Sequence, residues 1–550
     1  MTHPFAVAPF YLDADALSWV DATLNRLSTD DKLRQLFTLI CPAHMPEALE
    51  AARAFRPGGV TRMAIQSPPA EEAAALAALS AAMPTPLLVS ADLEGSRMSL
   101  AHGAEWPNPL ALAAIDAPEQ TRRASVQMAR EARATGICWS FTPVLDINAA
   151  FRSAIVATRG FGSDPATIES HAIAQLEAFQ SEGVASAVKH FPGEGFDDRD
   201  QHLVTTINPL SLDDWERSFG SLYRAAIKAG ALSVMSAHIA FPAFARAHGA
   251  TGIEAFRPAS INPILNQKLL REHLGFGGLI VSDATPMAGL TSWSPRAEHL
   301  PEVISSGCDV ILFSDAPETD LAHLHTALDD GRLTISRVDD AVSRQLALKA
   351  HLGLHHTAAQ TPTPPNTERN AALAKELALA APTLVKDVPH TLPLRPQTHR
   401  RVLVFSGDIT IPFLPQPLPF ALPEMLAQNG FEITPYTPGM GINPADFDLI
   451  LYLFGDETLL TRGRIFFDWL KLTGSFNAAM ERHWHEIPSV MISFGYPYML
   501  YDAPRMPTVI NAYNTTETTQ AAVVDLLLGK ADWNRNSPVD PFCGLEDARY

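Results

Sequence analysis

The run Ala185-Ser186-Ala187-Val188-Lys189-His190 is short, begins with small and apolar residues, and ends on a lysine and a histidine. It is one of eight such runs between about residue 36 and residue 314, separated by longer stretches of helical periodicity. The spacing leaves room for a crossover helix in most gaps, and eight repeats favour a closed (β/α)8 barrel of the TIM type over an open sheet. The runs are Phe37 to Ile40, Val60 to Ile65, Pro86 to Asp92, Cys138 to Val144, Ala185 to His190, Leu232 to His238, Gly278 to Asp283 and Asp309 to Ser314.

Several of these runs finish on polar residues that can carry chemistry. Asp92, His190, His238 and Asp283 each stand at the last position of a run. In a barrel of parallel strands the carboxyl ends converge on one rim, where the active site is built. We therefore expect these side chains, which are distant in sequence, to lie close together.

The sequence predicts two domains joined by a linker. The barrel domain accounts for residues 1–355. The segment Thr361-Pro362-Thr363-Pro364-Pro365 is typical of an extended, semi-rigid connection, and the linker is predicted over residues 356–396. In residues 397–550, continuous apolar strands alternate with helical stretches and indicate a C-terminal α/β/α sandwich. This region contains no GxGxxG or GxxxxGK[ST] motif, so we expect no nucleotide there.

Composition and charge exclude several classes of protein. The 550 residues are 47% apolar and 18% charged, which is typical of globular enzymes and not of disordered chains. A net charge of −19 without a long run of Lys and Arg disfavours nucleic acid and anionic membranes as partners. No apolar stretch is long enough to cross a bilayer, and the N-terminus does not resemble a signal peptide. We therefore expect a cytoplasmic protein that does not bind membranes.

The four cysteines are widely separated, at Cys41, Cys138, Cys308 and Cys543. None forms a CxxC pair or the spacing of a zinc site. Cys138 and Cys308 lie within apolar runs, where free cysteines usually behave as small core residues. The sequence predicts neither a metal nor a cofactor.

An acid and an imidazole stand two residues apart in Asp200-Gln201-His202. In an extended or turning segment such residues point to the same side, so the carboxylate can hold one ring nitrogen while the other faces a substrate. This spacing predicts a general acid/base pair. Asp283 is a carboxylate at the end of a predicted strand, which suits it to attack an oxocarbenium-like centre.

Taken together, these motifs resemble the family 3 glycoside hydrolases, and more narrowly their β-N-acetylglucosaminidase branch. The resemblance covers about residues 30–355 and extends, less specifically, to the second domain through Ser493 to Tyr498. It is carried by Lys189 to Gly195, Asp200 to His202 and Gly278 to Asp283, with further matches at Asp92 to Arg97, Phe141 to Asp146, Arg159 to Gly162 and Val234 to His238.

The resemblance implies a role for each reacting residue. Asp283 would be the nucleophile, His202 the proton donor and later the base, and Asp200 the residue that orients His202. The reaction would then be a double displacement that retains the anomeric configuration.

The resemblance also implies a set of substrate-binding residues. Asp92, Arg159, Lys189 and His190 match positions that hold sugar hydroxyls in the family. The alternative is that these residues form a salt-bridge cluster that ties the strand ends together.

Four positions depart from the family pattern. Ser96 stands where a second glycine is usual, Leu100 where an arginine is usual, Glu194 where a histidine or leucine is usual, and Gln201 where a serine or threonine is usual. None of them removes a reacting group. They alter the wall of the pocket, and Glu194 is expected to add negative charge near Asp197, Asp198 and Asp200. We therefore expect the specificity of the pocket to differ from that of relatives that process muropeptides.

The sequence leaves several functions open. The leading prediction is an exo-acting, retaining β-N-acetylhexosaminidase that removes terminal N-acetylglucosamine from disaccharides. A β-glucosidase or β-xylosidase with the same machinery is an alternative. A β-N-acetylglucosaminide phosphorylase is another, because a histidine acid/base repels an incoming phosphate less than a carboxylate would. A non-enzymatic sugar-binding protein is the fourth. We expect a small carbohydrate as partner, and a homodimer is one option for the assembly.

Overall fold

The computed structural model describes residues 3–63, 65–356, 363–412 and 414–550. Within these ranges eight parallel strands of the first domain close into a barrel in the order β1-β2-β3-β4-β5-β7-β9-β10, and β10 pairs with β1 to complete the ring. The (β/α)8 barrel predicted from the sequence is confirmed. Strands β6 and β8 pair with each other in a separate small sheet. The strands are β1 (Phe37–Pro42), β2 (Gly59–Met63), β3 (Leu88–Ala91), β4 (Trp139–Ser140), β5 (Ala185–Phe191), β6 (Thr206–Ile207), β7 (Ser233–Ser236), β8 (Ile239–Ala240), β9 (Leu279–Ala284) and β10 (Val310–Leu312).

Helices connect the barrel strands and cover the outside of the barrel. Asp164 illustrates how they begin: its carboxylate accepts the Thr167 N–H at 2.9 Å, and Pro165 fills the first helical position, where no N–H is needed. Across the described residues, none of the helices combines the length and the apolar character that a bilayer crossing requires. Those of the first domain span Ala14–Arg26, Thr29–Gln35, Glu47–Phe55, Pro69–Ala81, Pro109–Ala114, Pro118–Ala134, Pro165–Ser181, Leu212–Trp215, Ser221–Lys228, Pro242–Ala247, Ala288–Thr291, Arg296–Ser305, Pro317–Asp329 and Ile335–His351, with π-helical turns at Glu216–Gly220 and Ile264–His273.

The second domain is built on a six-stranded mixed sheet in the order β11-β16-β15-β14-β12-β13. Strand β11 is an antiparallel edge strand, and the other pairings are parallel. The predicted α/β sandwich is confirmed. The strands are β11 (Thr383–Asp387), β12 (Arg401–Ser406), β13 (Glu432–Pro435), β14 (Leu449–Phe454), β15 (Ser489–Ser493) and β16 (Thr508–Asn511), and the helices are Thr367–Ala380, Leu422–Gln428, Trp469–Thr473 and Glu517–Leu527.

The two faces of this sheet belong to different cores. Val402 and Val404 of β12 pack into a cluster confined to the second domain. Their neighbours Leu403 and Phe405 point to the opposite face and join the hydrophobic core that continues into the barrel. The second domain is therefore docked on the barrel through buried apolar surface.

The stretch predicted as a linker, residues 356–396, contains regular structure. Thr367–Ala380 is a helix and Thr383–Asp387 is an edge strand of the second sheet, while Thr361 and Pro362 lie outside the described residues. The helix buries Leu373 and Leu377, one turn apart, so its apolar face packs against the protein. The run of prolines before it obscured this periodicity in the sequence.

Candidate active site

The loops after β4 and β5 meet at the carboxyl rim of the barrel. The Leu145 N–H donates to the Lys189 carbonyl at 2.7 Å, and the Ile147 N–H donates to the Glu194 carbonyl at 3.1 Å. Gly195 lies in this contact with φ +112°, and a Cβ there would collide with the Ile147 carbonyl oxygen. Only glycine satisfies both demands, which explains why the loop motif ends on this residue.

Charged side chains from β5 and from the segment after β3 form a buried ion-pair cluster. Lys189 Nζ lies 2.8 Å from Asp92 Oδ1 and 2.7 Å from Glu94 Oε1, and Arg159 donates to both Glu94 oxygens at 2.9 and 3.0 Å. Burial raises the pKa of Glu94, but the two cations more than offset it, so the pKa lies below its usual range. The Asp92 side chain is the most accessible of the four, 28% exposed. The salt bridges are therefore present, and Asp92 is also available to accept a hydroxyl.

His190 is held by Asp146, which lies on the loop after β4. Its Nδ1 is 2.6 Å from Asp146 Oδ2, while Asp146 Oδ1 accepts the backbone N–H groups of His190 and Glu194 at 3.1 and 2.9 Å. The ligand atoms of these three side chains lie within 4.8 Å of one another, close enough to hold a cation. The hydrogen bonds already engage both Asp146 oxygens, so the chain's own groups account for the cluster.

Asp200 and His202 are hydrogen-bonded to each other. Asp200 Oδ1 accepts the His202 backbone N–H at 2.8 Å and lies 2.7 Å from His202 Nδ1. Burial raises the pKa of Asp200, but hydrogen bonds from His202 and from the Thr461 N–H outweigh it and hold the pKa below its usual value. The His202 side chain is 24% exposed. Because Nδ1 is engaged, Nε2 is the ring nitrogen that can exchange a proton with a substrate.

Asp283 lies near the end of β9 and is almost completely buried. Its Oδ1 accepts the Ala284 N–H at 2.7 Å, and its Oδ2 has no hydrogen-bond partner among the described residues. Burial raises the pKa of this carboxyl, and the neighbouring His190, His238 and His202 more than offset that effect. Its pKa therefore lies below the usual value, and the group is ionised at neutral pH. An ionised carboxylate with one uncommitted oxygen has the properties of a nucleophile.

Backbone hydrogen bonds hold the Asp200–His202 loop against the residues that follow Asp283. The Ala288 N–H donates to the His202 carbonyl at 3.0 Å, and the Gly289 N–H donates to the Gln201 carbonyl at 3.1 Å. The residues that the sequence predicted as catalytic thus come from separate strand ends and lie together at one rim.

Two of the unusual residues, Glu194 and Gln201, are bonded to each other. Gln201 Nε2 donates to Glu194 Oε2 at 3.0 Å, and Gln201 Oε1 accepts the His238 N–H at 3.1 Å. Burial and then the neighbouring Asp146 raise the pKa of Glu194 well above its usual value. Both effects work against the negative charge that the sequence predicts at this position.

Of the other two unusual residues, Ser96 contacts the second domain and Leu100 packs against the hydrophobic core. Ser96 adopts φ +48°, and its hydroxyl donates to Glu457 Oε1 of the second domain at 2.7 Å. Leu100 packs, partly buried, against the main hydrophobic core. The place of the usual arginine is thus taken by an apolar contact.

Sequence reasoning assigned no role to four residues of this region. Glu94 and Asp146 lie inside motifs that the sequence analysis used, and the signal for them is that the buried basic groups nearby need partners. Glu457 and Thr461 contact the site from the second domain. Neither lies in a recognisable motif, so only the structure identifies them.

Glu194→Gln is expected to stabilise the protein increasingly as the pH rises. The folded-state pKa of Glu194 is raised, so its stabilising contribution is complete below the unfolded pKa and is lost as the pH rises through the folded pKa. Between the unfolded-state pKa and the folded-state pKa, this one proton lowers the free energy of unfolding by about 1.4 kcal/mol per pH unit as the pH rises. Glutamine does not titrate, so the variant does not lose this stability as the pH rises.

Thermal unfolding midpoints measured between about pH 4 and about pH 9 check this expectation. Glu169→Gln is the matched control, because Glu169 is exposed on the surface. Parallel midpoint curves for wild type and Glu194→Gln across this range would show that Glu194 titrates normally.

Comparisons with known proteins agree with this architecture. Residues 29–348 match the family model "Glycosyl hydrolase family 3 N terminal domain". A Cellulomonas fimi protein described as a beta-N-acetylglucosaminidase/beta-glucosidase is 38% identical over 98% of each chain. The solved structure of "Beta-glucoside phosphorylase BglX" is 32% identical, with a TM-score of 0.92 over 99% of each chain. A family 3 β-N-acetylglucosaminidase from a Paenibacillus strain has the same fold, with a TM-score of 0.80 at 22% identity over 94% of this chain and 100% of that one. With its barrel, its rim residues and these matches, the chain belongs to glycoside hydrolase family 3.

Proposed function

We propose that the protein removes terminal β-linked N-acetylglucosamine from small glycosides by a retaining double displacement. The observation that carries the proposal is Asp283, an ionised carboxylate with an uncommitted oxygen, next to the hydrogen-bonded pair Asp200 and His202. These three groups supply the nucleophile, the proton donor and the group that orients the donor.

In the first step Asp283 Oδ2 attacks the anomeric carbon, and the bond to the leaving oxygen breaks. His202 donates its Nε2 proton to that oxygen, so the leaving group departs as a neutral alcohol. Asp200 stabilises the ring orientation and the charged imidazolium through Nδ1. The product of this step is a covalent glycosyl-enzyme.

In the second step His202, now neutral, accepts a proton from water. The resulting hydroxide attacks the anomeric carbon and releases Asp283 as a carboxylate. Two inversions at the same carbon retain the β configuration.

The sugar is bound by Asp92 with support from the ion-pair cluster. Asp92 accepts sugar hydroxyls with its exposed face, while Lys189 holds its other side and Arg159 holds Glu94 behind it. His190, fixed by Asp146, adds a ring nitrogen to the same wall. A polyol gripped between carboxylates and cations is oriented before the reaction.

The sugar preference is proposed from the relatives and from the pocket wall. The description of the Cellulomonas fimi relative includes activity on both N-acetylglucosaminides and β-glucosides. In this chain Leu100 replaces a cation, and Glu194, whose pKa is raised by burial, replaces a histidine or leucine. We propose N-acetylglucosaminides as the first substrate class and β-glucosides as the second, with β-xylosides as the remaining alternative.

We also propose a partner and a compartment for the protein. The partner is a small carbohydrate, and the proposed compartment is the cytoplasm. The four cysteines are free thiols, three of them buried, as in a reducing environment. A homodimer stays a prediction.

Asp283→Asn is expected to lower turnover of aryl β-glycosides by about three orders of magnitude or more, because an amide cannot form the glycosyl-enzyme. Initial rates on a panel of N-acetylglucosaminides, glucosides and xylosides measure the loss and the sugar preference, and NMR of the first-formed anomer shows whether the configuration is retained.

Asp198→Asn is the matched control, since it makes the same chemical change at an exposed position on the loop that carries Asp200 and His202. Unchanged turnover in Asp283→Asn would contradict the assignment of the nucleophile. Absence of turnover by the wild type on every glycoside would favour the sugar-binding alternative.

Phosphorolysis is the second candidate function. The structure that is 32% identical over 99% of both chains is described as a β-glucoside phosphorylase. The proton donor is an imidazole, so an incoming phosphate meets less negative charge than a carboxylate acid/base would present, and the raised pKa of the nearby Glu194 acts in the same direction. In this variant phosphate, not water, attacks the glycosyl-enzyme.

Inorganic phosphate distinguishes the two reactions. If phosphate is the acceptor, its addition should increase the rate of aglycone release and convert the sugar to its 1-phosphate with retained configuration, as followed by 31P NMR. Sulfate at equal ionic strength is the control for a general anion effect. Free sugar as the only product, at an unchanged rate, supports hydrolysis and contradicts phosphorolysis.

A further inference from the structure

A segment of the second domain, Glu457–Thr461, lies against the barrel rim and contacts it at alternate residues. The Glu457 carbonyl accepts the Thr158 hydroxyl at 3.2 Å, and the Leu459 N–H donates to the Ala154 carbonyl at 3.1 Å. The Thr461 N–H also donates into the first domain, as described below. The contacts at residues 457, 459 and 461 thus commit one side of this segment to the barrel.

The Glu457 side chain anchors the start of the segment. Its Oε1 accepts the Ser96 hydroxyl at 2.7 Å and the backbone and hydroxyl groups of Thr515 at 2.8 and 2.6 Å, and its Oε2 accepts Asn108 Nδ2 at 3.2 Å. Two of these donors belong to the barrel domain and two to the second domain. One carboxylate therefore fixes the segment to both domains.

The end of the segment reaches the acid/base pair directly. The Thr461 N–H donates to Asp200 Oδ2 at 2.8 Å, while Asp200 Oδ1 is occupied by His202. Thr461 adopts φ +64°, a conformation that a threonine rarely takes, and its side chain is exposed. The threonine thus acts on the site through its backbone N–H.

Bonds on both oxygens determine how the Asp200 carboxylate is rotated. The plane of that carboxylate determines the direction of the hydrogen bond to His202 Nδ1, and through it the direction of Nε2. If the Thr461 N–H is withdrawn, the carboxylate can rotate and the imidazole loses its fixed orientation. Proton transfer depends on this orientation more strongly than sugar binding does.

Docking of the two domains does not depend on this contact alone. Arg97 of the barrel donates to the Thr515 hydroxyl and carbonyl at 2.7 and 2.9 Å, and the helix Thr367–Ala380 contacts the barrel through Asn370, whose Nδ2 donates to Glu131 at 2.6 Å. The apolar core also continues across the two domains. The contact between Thr461 and Asp200 is therefore not needed to hold the domains together, and its effect falls on the Asp200 carboxylate.

We propose that Glu457 and Thr461 are positioning residues of the second domain: Glu457 anchors the segment and Thr461 uses its backbone N–H to orient the Asp200–His202 pair for proton transfer. This inference rests on the proposed roles of Asp200 and His202. It gives Ser96, one of the departures from the family pattern, a function as part of the anchor.

Leaving-group dependence tests the inference. A strongly acidic phenol departs without a proton, whereas an alkyl alcohol needs one, so loss of acid catalysis appears only with the poorer leaving group. Glu457→Ala is expected to lower kcat/KM by about 10-fold to 100-fold for an alkyl glycoside and to leave it within about 3-fold for the 2,4-dinitrophenyl glycoside of the same sugar. Poor orientation of His202 should also slow hydrolysis of the glycosyl-enzyme, which lowers kcat on the dinitrophenyl substrate. Azide attacks the glycosyl-enzyme without a base and should restore this kcat.

Two further variants complete the series. Glu457→Gln keeps an oxygen for the Ser96 and Thr515 donors and should retain most activity on both substrates. Arg462→Ala, which removes an exposed side chain just beyond the segment, is the matched control and should match wild type on both substrates. If Glu457→Ala does not fold, Ser96→Gly, which removes one donor at a position with positive φ, carries the same comparison.

The outcomes separate this inference from the function on which it rests. Equal losses on both substrates would show that Glu457 only holds the domains together, and no loss on either would show that the anchor does not affect catalysis; each result would overturn the proposal. A selective loss in Arg462→Ala as large as that in Glu457→Ala would also overturn it, because Glu457 and the Thr461 N–H are both still present. His202→Ala is measured in parallel: if it lacks the leaving-group dependence, the proposed acid/base role fails, whatever the Glu457 variants do.

Discussion

Crowding of negative charge at one rim of the barrel is the constraint on which the site depends. Five carboxylates are buried there: Glu94, Asp146, Glu194, Asp200 and Asp283. Removing ionised groups from water is unfavourable unless each is paired, hydrogen-bonded or protonated. The chain uses all three solutions. Lys189 and Arg159 neutralise Glu94, histidines pair with Asp146 and Asp200, and burial beside Asp146 shifts Glu194 towards its protonated form. Asp283 is the exception, ionised and with one oxygen left uncommitted, and the proposed chemistry is assigned to this group.

The second domain is part of this arrangement. It is joined to the barrel by a shared apolar core, and it donates the hydrogen bond that engages the second oxygen of Asp200. The site is thus assembled from barrel loops and from a segment of a different sheet. A barrel alone would bring Asp200 and His202 to the rim, but it would leave the second Asp200 oxygen without the donor seen here.

Most of the fold, and the residues proposed to react, could be identified from the sequence. The eight apolar runs predict the barrel because strand and helix periods alternate, Asp283 stands at a predicted strand end, and the spacing of Asp200 and His202 indicates a pair. The helix Thr367–Ala380 was missed because the preceding prolines dominate that region. The charge state of Glu194 could not be predicted either, because it depends on burial and on carboxylates that are distant in sequence. Glu457 and Thr461 could not be found because their contacts arise from domain docking, which has no local sequence signal.

Trapping the covalent intermediate tests the central claim most directly. An activated glycoside of the preferred sugar, fluorinated at C5 beside the ring oxygen so that the glycosyl-enzyme turns over slowly, should add the mass of one sugar to the intact protein. After proteolysis the label should lie on the peptide that contains Asp283, and Asp283→Asn should not be labelled. A label on another residue, or turnover of natural substrates by Asp283→Asn at the wild-type rate, would contradict the account.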